Sequence, residues 1–319
     1  MEADFSIVAL SDDRVPDVVG LCRVALDLSD DAAEAAEIVA RLRDDAPPSG
    51  ATRRRHTVGL VALVGDAVVG VALGSLASQD PTVGHVDLFA VHPRQRGRGL
   101  GRALLTAVEA ALATAGATQV RLAGNPPYYA WPGIDVRYTP AICTALALGY
   151  RQDGTAWNMT VDLTDRSSPA LRPTAAAEER LAARGVTVRR AGPADVAAVV
   201  AFARQTFGGS WDAEVAHSIG RTGAGCHVAV GTPADGGEPQ LLGFAAYGSS
   251  RPSWFGPMGT APTAQGLGIG GVLLRRCLRD QYEAGHRRVQ IGWVGPVPFY
   301  ARGAGARIER VFLQYRKQL

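Results

Sequence analysis

The sequence predicts an α/β protein whose sheets are mixed, as in α+β folds. It predicts two tandem domains, each a mixed β-sheet flanked by helices. The main observation is an internal repeat: residues 91–105 and 260–274 align without a gap, at a constant offset of 169 (262 − 93 for Pro93 and Pro262). In both copies an apolar run leads into a glycine-rich loop, which an amphipathic helix follows. A period of this length is far too long for a solenoid and indicates a duplicated domain.

Composition limits the class of protein. At 319 residues, the chain is long enough for two domains that each bury a core. A hydrophobic content of 47% and a charged content of 20% fit a globular protein without a membrane span. The net charge of +3 is slight, and the one basic block, Arg53 to Arg55, is interpreted as a solvated loop rather than a nucleic-acid patch. Four scattered cysteines and the lack of a signal-peptide pattern lead us to expect a cytoplasmic protein.

The predicted domains are residues 1–163 and 186–319, joined by a linker with a short helix at 164–185, because a polar, proline-containing break begins there. Apolar alternation, helical periodicity and turn residues give the elements of the first domain. Strands are predicted at 5–10, 56–64, 67–76, 84–91, 118–123 and 157–163, and helices at 16–28, 31–42, 100–115 and 139–148.

The second domain follows the same order of elements. Its strands are predicted at 186–190, 226–231, 241–248, 254–260, 287–294 and 307–315, and its helices at 193–207, 211–219, 269–284 and from 299 to 303. A glycine-rich loop between a strand and a helix exposes backbone N–H groups at the positive end of the helix dipole, so a phosphate or pyrophosphate is the natural ligand. An ATP-type loop is excluded, because Lys317 is the only lysine of the chain.

The loop spacing carries a family resemblance. Arg96-x-x-Gly99-x-Gly101 and Gln265-x-x-Gly268-x-Gly270 both resemble the GNAT superfamily of acyl-CoA-dependent N-acyltransferases, and the resemblance extends over nearly the whole chain. The second copy departs from the V-x-P pattern that precedes the loop. The resemblance implies that the loop binds the CoA pyrophosphate and that the preceding strand lies beside the pantetheine arm. The cofactor-binding residues it implies are Phe89, Val91, Arg96, Gly97, Arg98, Gly99, Gly101 and Arg102 in the first copy, and Met258, Thr260, Gln265, Gly266, Gly268 and Gly270 in the second.

The same resemblance implies two catalytic residues, one in each half. Asp87 occupies the position of an acidic general base, and a solvated or salt-bridged carboxylate is the equal alternative. The tyrosine that acts as general acid in the family falls on Ala145 in the first half and on Tyr300 in the second, where Gly256 replaces the base. A tyrosine that only packs its ring is the alternative for Tyr300.

Aromatic residues near these positions are candidates for binding the acceptor. Tyr129 and Trp131 lie in a link whose prolines and glycines predict that it has no regular structure. Trp254 and Trp293 lie in the second half. Packing at an interface is the other interpretation of such a link.

The resemblance therefore implies transfer of an acetyl group from acetyl-CoA to a primary amine of a small molecule or peptide, without a metal. We expect the chemistry first in the C-terminal domain, through Tyr300. Two alternatives stay open: an acyl-CoA-binding sensor or scaffold without catalysis, and another reaction of a CoA thioester, such as decarboxylation. Neither the acceptor nor the oligomeric state follows from the sequence.

Overall fold

The computed structural model describes residues 5–46, 54–232 and 237–319 and divides the chain into two units. The N-terminal unit contains residues 1–156 together with residues 311–319, and the C-terminal unit contains residues 157–310. Each unit has the mixed sheet and flanking helices that the sequence predicts.

In the N-terminal half, strands and helices alternate in the predicted order. The elements are β1 (Ser6–Ala9), α1 (Val15–Ala25), α2 (Ser29–Ala33), α3 (Ala35–Arg43), β2 (Thr57–Val64), β3 (Ala67–Leu76), β4 (Val83–Val91), α4 (Leu100–Thr114), β5 (Gln119–Leu122), β6 (Ile134–Asp135), α5 (Thr139–Ala147) and β7 (Arg151–Asp162). The link before α5, predicted to lack regular structure, therefore holds the two-residue strand β6.

The C-terminal half begins with the predicted linker helix and then repeats the pattern. Its elements are α6 (Ala175–Ala182), β8 (Val186–Arg190), α7 (Val196–Thr206), α8 (Trp211–Ser218), β9 (Gly225–Gly231), β10 (Gln240–Tyr247), β11 (Trp254–Thr260), α9 (Ile269–Glu283), β12 (Arg288–Ile291), α10 (Val297–Ala304) and β13 (Arg307–Gln318).

The sheet of the N-terminal unit runs β1, β2, β3, β4, β5 and then the end of β13. All neighbours are antiparallel except β4 and β5, which are parallel and pair from Val83 to Val86 on β4. Helix α4 covers one face with a stripe of buried side chains, in which Leu104, Leu105, Val108 and Leu112 are fully buried. Helices α1 and α3 contribute to a second hydrophobic cluster. Burial on both faces of the sheet fixes its register.

The sheet of the C-terminal unit is built in the same way, with strand order β8, β9, β10, β11, β12 and then the end of β7. Strands β11 and β12 are the parallel pair, and α9 buries its apolar stripe on this sheet, including Leu273, Leu274 and Leu278.

The units do not end where the sequence predicts, because each sheet is completed by the last strand of the other half. Residues Met159 to Asp162 of β7 pair with β12 in the C-terminal unit, and Arg316 to Gln318 of β13 pair with β5 in the N-terminal unit. The predicted limits of 163 and 186 keep each last strand with its own half. An alternating pattern marks a strand but does not say which neighbour it pairs with.

Candidate active site

A pocket of about 490 Å³ opens in the N-terminal unit beside the glycine-rich loop. Strands β4 and β5 pair as far as Val86 and Leu122. The residues that follow these two in the chain line the pocket. The first turn of α4 and residues of α5 form the other walls. The walls are mostly apolar, with a few convergent polar groups, which is typical of a small-molecule site.

The loop that lines this pocket contains two glycines in the left-handed region of φ. Gly97 has φ +78° and Gly99 has φ +86°, and a Cβ atom added to either would meet nothing within 4 Å. Helix α4 begins at the next residue, so its unpaired N–H groups and the loop N–H groups are accessible to an anion. Gly266 (φ +79°) and Gly268 (φ +89°) give the second loop the same backbone geometry.

The arginines of the first loop differ in their surroundings. Arg96 donates from both Nη atoms to the carboxylate of Asp27 at 3.1 Å and from Nη2 to the carbonyl of Ala25 at 2.8 Å, which ties the end of α1 to the loop. Arg98 donates to Gln95 on the surface, and Arg102 lines the pocket from the first turn of α4. Phe89, Val91, Gly97, Gly99 and Gly101 also line it.

Asp87 also lines this pocket, and it lies on a β-bulge. Leu73 of β3 is opposite Leu88 and Gly74 is opposite Val86, so Asp87 is the extra residue of β4. Its Oδ2 atom accepts from Arg55 Nη2 at 3.0 Å and from Ser75 Oγ at 2.5 Å. Its Oδ1 atom is buried and has no hydrogen-bond partner among the described residues. Such a lone buried oxygen next to a pocket is suited to accept a proton or an N–H group from a ligand.

Burial and the ion pair shift the pKa of the Asp87 carboxyl in opposite directions. Burial raises the pKa of Asp87 to about 6, while Arg55 and the hydrogen bond from Ser75 lower it. The neighbouring His85 donates from Nδ1 to the carbonyl of Ala123 at 2.8 Å, and burial lowers its pKa to about 4. Near neutral pH, Asp87 is therefore mostly ionised and His85 is uncharged.

Arg55 corrects the prediction of a solvated Arg53–Arg55 loop. Arg54 is exposed and pairs with Asp45, and Arg53 lies outside the described residues. The side chain of Arg55, by contrast, is fully buried and forms an ion pair with Asp87. Nothing in the local sequence signals this pair, apart from the proximity of Arg55 to the start of a strand.

In the second unit, two side chains pack against the glycine at the start of α9. A Cβ atom added to Gly270 would meet Phe299 Cζ at 3.3 Å and Met258 Cε at 3.6 Å, whereas at Gly101 only Val91 lies within 4 Å, at 3.8 Å. Phe299 and Met258 thus contact the start of α9 more closely than Val91 contacts the start of α4. A second pocket, of about 330 Å³, lies in the C-terminal unit beside Arg190 and Asp280, and the loop does not line it.

Tyr300 is part of the same packing. Its side chain is 7% exposed, and its ring makes edge-on contacts with Phe255 and Phe299 at centroid distances of 6.1 and 5.0 Å. Burial raises the pKa of its phenol above the ordinary value. Tyr300 therefore packs its ring in the core of the C-terminal unit, and its role as general acid stays a prediction.

The four candidate aromatics are dispersed. Trp131 lines the pocket of the N-terminal unit, while Tyr129 is buried and does not line it. Trp254 is 2% exposed and lies under the Arg251 guanidinium, and Trp293 is 40% exposed. Tyr138, another aromatic of the same link, lines the pocket and donates from its hydroxyl to Asp31 at 2.9 Å. The sequence did not indicate Asp27, which lines the pocket and pairs with Arg96.

Within the part of the chain that the structure describes, there is no group of three or more His, Cys, Asp or Glu residues arranged to hold a metal ion. The helices among residues 5–46, 54–232 and 237–319 are all too short or too polar to cross a membrane.

A family model matches part of the N-terminal unit. Residues 24–129, which contain the first loop and Asp87, match the model of the acetyltransferase (GNAT) family. No curated protein is similar enough in sequence to match the chain.

Solved structures share the fold over nearly the full length. A tandem GNAT protein from the clavulanic acid biosynthesis pathway has a TM-score of 0.68 at 19% identity, over 98% of both chains. A GCN5-related N-acetyltransferase from Sphaerobacter thermophilus has a TM-score of 0.63 at 20% identity, over 100% of this chain and 96% of that one. The GCN5-related glucosamine N-acetyltransferase region of a fungal multi-domain GH3 β-N-acetylglucosaminidase has a TM-score of 0.74 at 16% identity, and the match covers 99% of the present chain but 38% of that protein.

Residues 24–129 therefore match the acetyltransferase (GNAT) family, and the chain as a whole shares the fold of a tandem GNAT protein. The family match lies wholly in the N-terminal unit.

Proposed function

We propose that the protein transfers an acetyl group from acetyl-CoA to a primary amine, and that the pocket of the N-terminal unit is where both substrates meet. The observation that carries this proposal is a single pocket whose lining includes both the glycine loop and Asp87. The loop residues would hold the CoA phosphates, and the apolar walls from β4 and α5 suit the pantetheine arm.

The charges of the two loops support this choice of unit. The first loop carries Arg94, Arg96, Arg98 and Arg102, and the residues at the same positions of the repeat are Thr263, Gln265, Leu267 and Gly271. CoA is polyanionic, so the guanidinium groups of Arg94, Arg98 and Arg102, beside an Arg96 that is paired with Asp27, favour its binding there. The second loop has no charged residue at the matching positions, and Phe299 packs against its Gly270.

In this proposal Asp87 is the general base. The amine nitrogen forms a bond to the acetyl carbonyl carbon, the carbon–sulfur bond breaks, and Asp87 Oδ1 takes a proton from the amine while the CoA thiolate leaves. A base whose pKa is about 6 is ionised at neutral pH and is protonated below that pH. The rate is therefore expected to fall as the pH is lowered through about 6.

Ala145 favours a second candidate function. It stands where the sequence resemblance implies the general acid, and it has no proton to give the thiolate. An acyl-CoA-binding protein without turnover fits the same pocket, and a panel of amines separates the two. Thiol release from acetyl-CoA with alkylamines, arylalkylamines, aminosugars or peptides supports transfer, whereas tight binding without release supports the sensor.

The proposed location is tested by calorimetry of acetyl-CoA binding to the wild type, Gly99→Glu and Gly268→Glu. The two glycines are matched, because both have left-handed φ values and open space around an added Cβ atom. Each variant places a carboxylate where a phosphate would lie and carries the same backbone strain. We expect at least a hundredfold loss of affinity, about 2.7 kcal/mol, for Gly99→Glu alone. Binding lost only with Gly268→Glu would place the site in the C-terminal unit.

A further inference from the structure

The Asp87 carboxylate is held by a guanidinium that does not line the pocket. Arg55 Nη2 donates to Asp87 Oδ2 at 3.0 Å and to Ser75 Oγ at 2.6 Å, and its Nη1 donates to the carbonyl of Leu42 at 3.0 Å. The guanidinium also stacks on the Tyr128 ring, 4.8 Å from its centroid. Asp87 lines the pocket and Arg55 lies behind it.

These contacts make the two oxygens of the carboxylate unequal. Oδ2 accepts from both Arg55 and Ser75, and Asn125 Nδ2 in turn donates to Ser75 Oγ at 2.8 Å. Oδ1 is buried without a partner among the described residues. A buried carboxylate oxygen is rarely left in this state, because its lost hydration is not replaced. The arrangement leaves one oxygen fixed and the other available to a ligand.

The other groups around Asp87 do not replace Arg55. Ser75 on β3 and Asn125 in the link are uncharged, and burial keeps His85 on β4 neutral near pH 7 by lowering its pKa. Arg41 of α3 lies on the Tyr128 ring, at 4.7 Å, and donates to the carbonyl of Pro127 at 2.8 Å. Among the described residues, Arg55 is therefore the cation in direct contact with the carboxylate.

We infer that Arg55, acting with Ser75, is a positioning residue that fixes Asp87 and keeps it ionised, so that Oδ1 receives the proton of the acceptor amine. The inference rests on the proposed function of Asp87 as the base. The physical reason is that burial alone favours a protonated carboxyl, and a neighbouring cation opposes this by favouring the charged form. Removal of the cation should leave Asp87 protonated at neutral pH.

The test measures the ionisation of Asp87 directly. The full-length protein with ¹³Cγ-labelled aspartate is titrated by NMR, and the Asp87→Asn spectrum assigns the signal. Arg55→Met should move the titration of Asp87 upward by about one pH unit or more. Arg55→Lys should restore most of the wild-type midpoint, and Arg54→Met, which removes the exposed neighbour, should not change it.

A second readout links the titration to catalysis. The rate of thiol release from acetyl-CoA, with the best amine of the panel, should show an acidic limb that moves with the NMR midpoint in each variant. A role in folding alone would lower the rate at all pH values without moving the limb. Acetyl-CoA calorimetry and circular dichroism serve as controls for folding.

The outcomes separate the two proposals. An Asp87 midpoint that is the same in Arg55→Met and wild type overturns the inference, as does a moved midpoint with an unmoved rate profile. If Arg55→Met does not fold, Ser75→Ala takes its place, with a smaller upward shift expected because one hydrogen bond to Oδ2 is lost. Failure of the proposed function appears earlier, as a wild type that neither binds acetyl-CoA nor releases its thiol.

Discussion

Asp87 and Arg55 are 32 residues apart in the chain, yet they form one buried pair. The position of Asp87 before the glycine loop could be predicted from the sequence, because the repeat aligned that strand. The identity of its partner could not be, since Arg55 resembles the solvated arginines beside it until the fold brings β2, β3 and β4 together. A local pattern identifies a reactive group more readily than the distant group that controls it.

Two single substitutions distinguish the candidate catalytic residues. Asp87→Asn keeps the shape of the side chain but removes the base, so kcat/KM should fall by about 10²–10⁴-fold. Tyr300→Phe removes only a hydroxyl from a ring that packs on Phe255 and Phe299, so turnover should stay within about twofold of the wild type. Both are measured as thiol release near neutral pH with the same amine.

The reverse pattern is equally informative. A large loss with Tyr300→Phe and none with Asp87→Asn would return the chemistry to the C-terminal unit, as the sequence first led us to expect. Acetyl-CoA binding by both variants is the control that separates loss of turnover from loss of the substrate site.

Helices α4 and α9 show how well local sequence predicts an element. Both begin at the predicted residue and end within one residue of the predicted end, because a left-handed glycine precedes each and an apolar stripe of period 3.6 follows. Local sequence does not predict which residues pack around such a helix. Phe299 was expected only to begin a helix, and nothing in its local pattern says that its ring lies against Gly270.

A matched pair of core substitutions tests the roles of these helices. Leu104 of α4 and Leu273 of α9 are both fully buried, and each packs beside a strand glycine, Gly70 or Gly243. Truncation to alanine should lower the free energy of unfolding by about 2–5 kcal/mol at either site, because a cavity remains. We expect only Leu104→Ala to weaken acetyl-CoA binding, since α4 lines the pocket. Guanidinium denaturation and calorimetry on the two variants check this; equal loss of binding would contradict it.

At the scale of the whole molecule, the chain does not divide at its linker. Residues 311–319 contribute Phe312 and Tyr315 to the core of the N-terminal unit, and residues 157–163 contribute Met159, Val161 and Leu163 to that of the C-terminal unit. The duplication could be predicted from the repeat. The exchange of last strands could not be predicted, because the last strands of both halves have the same alternating pattern and either could pair with either sheet.

Deletion of residues 311–319 tests this exchange. The N-terminal unit loses the strand that pairs with β5 and β6, so acetyl-CoA binding should be lost. Amide exchange should quicken in α4 and β5 while α9 and β12 stay protected. A synthetic peptide of residues 307–319 added in trans is expected to restore part of the binding. Unchanged binding after the deletion, or equal loss of protection in both units, would contradict the assignment of this strand to the N-terminal sheet.

The exchanged strand also sets an order of assembly in the cell. Protein domains usually fold as they leave the ribosome, the N-terminal one first. Here the unit that is translated first takes residues 311–319 into its sheet, since β5 pairs with Arg316 to Gln318. The sheet that carries the first loop is therefore completed only after these residues have been synthesised, and a chain that stops before them would carry the loop on an unfinished sheet.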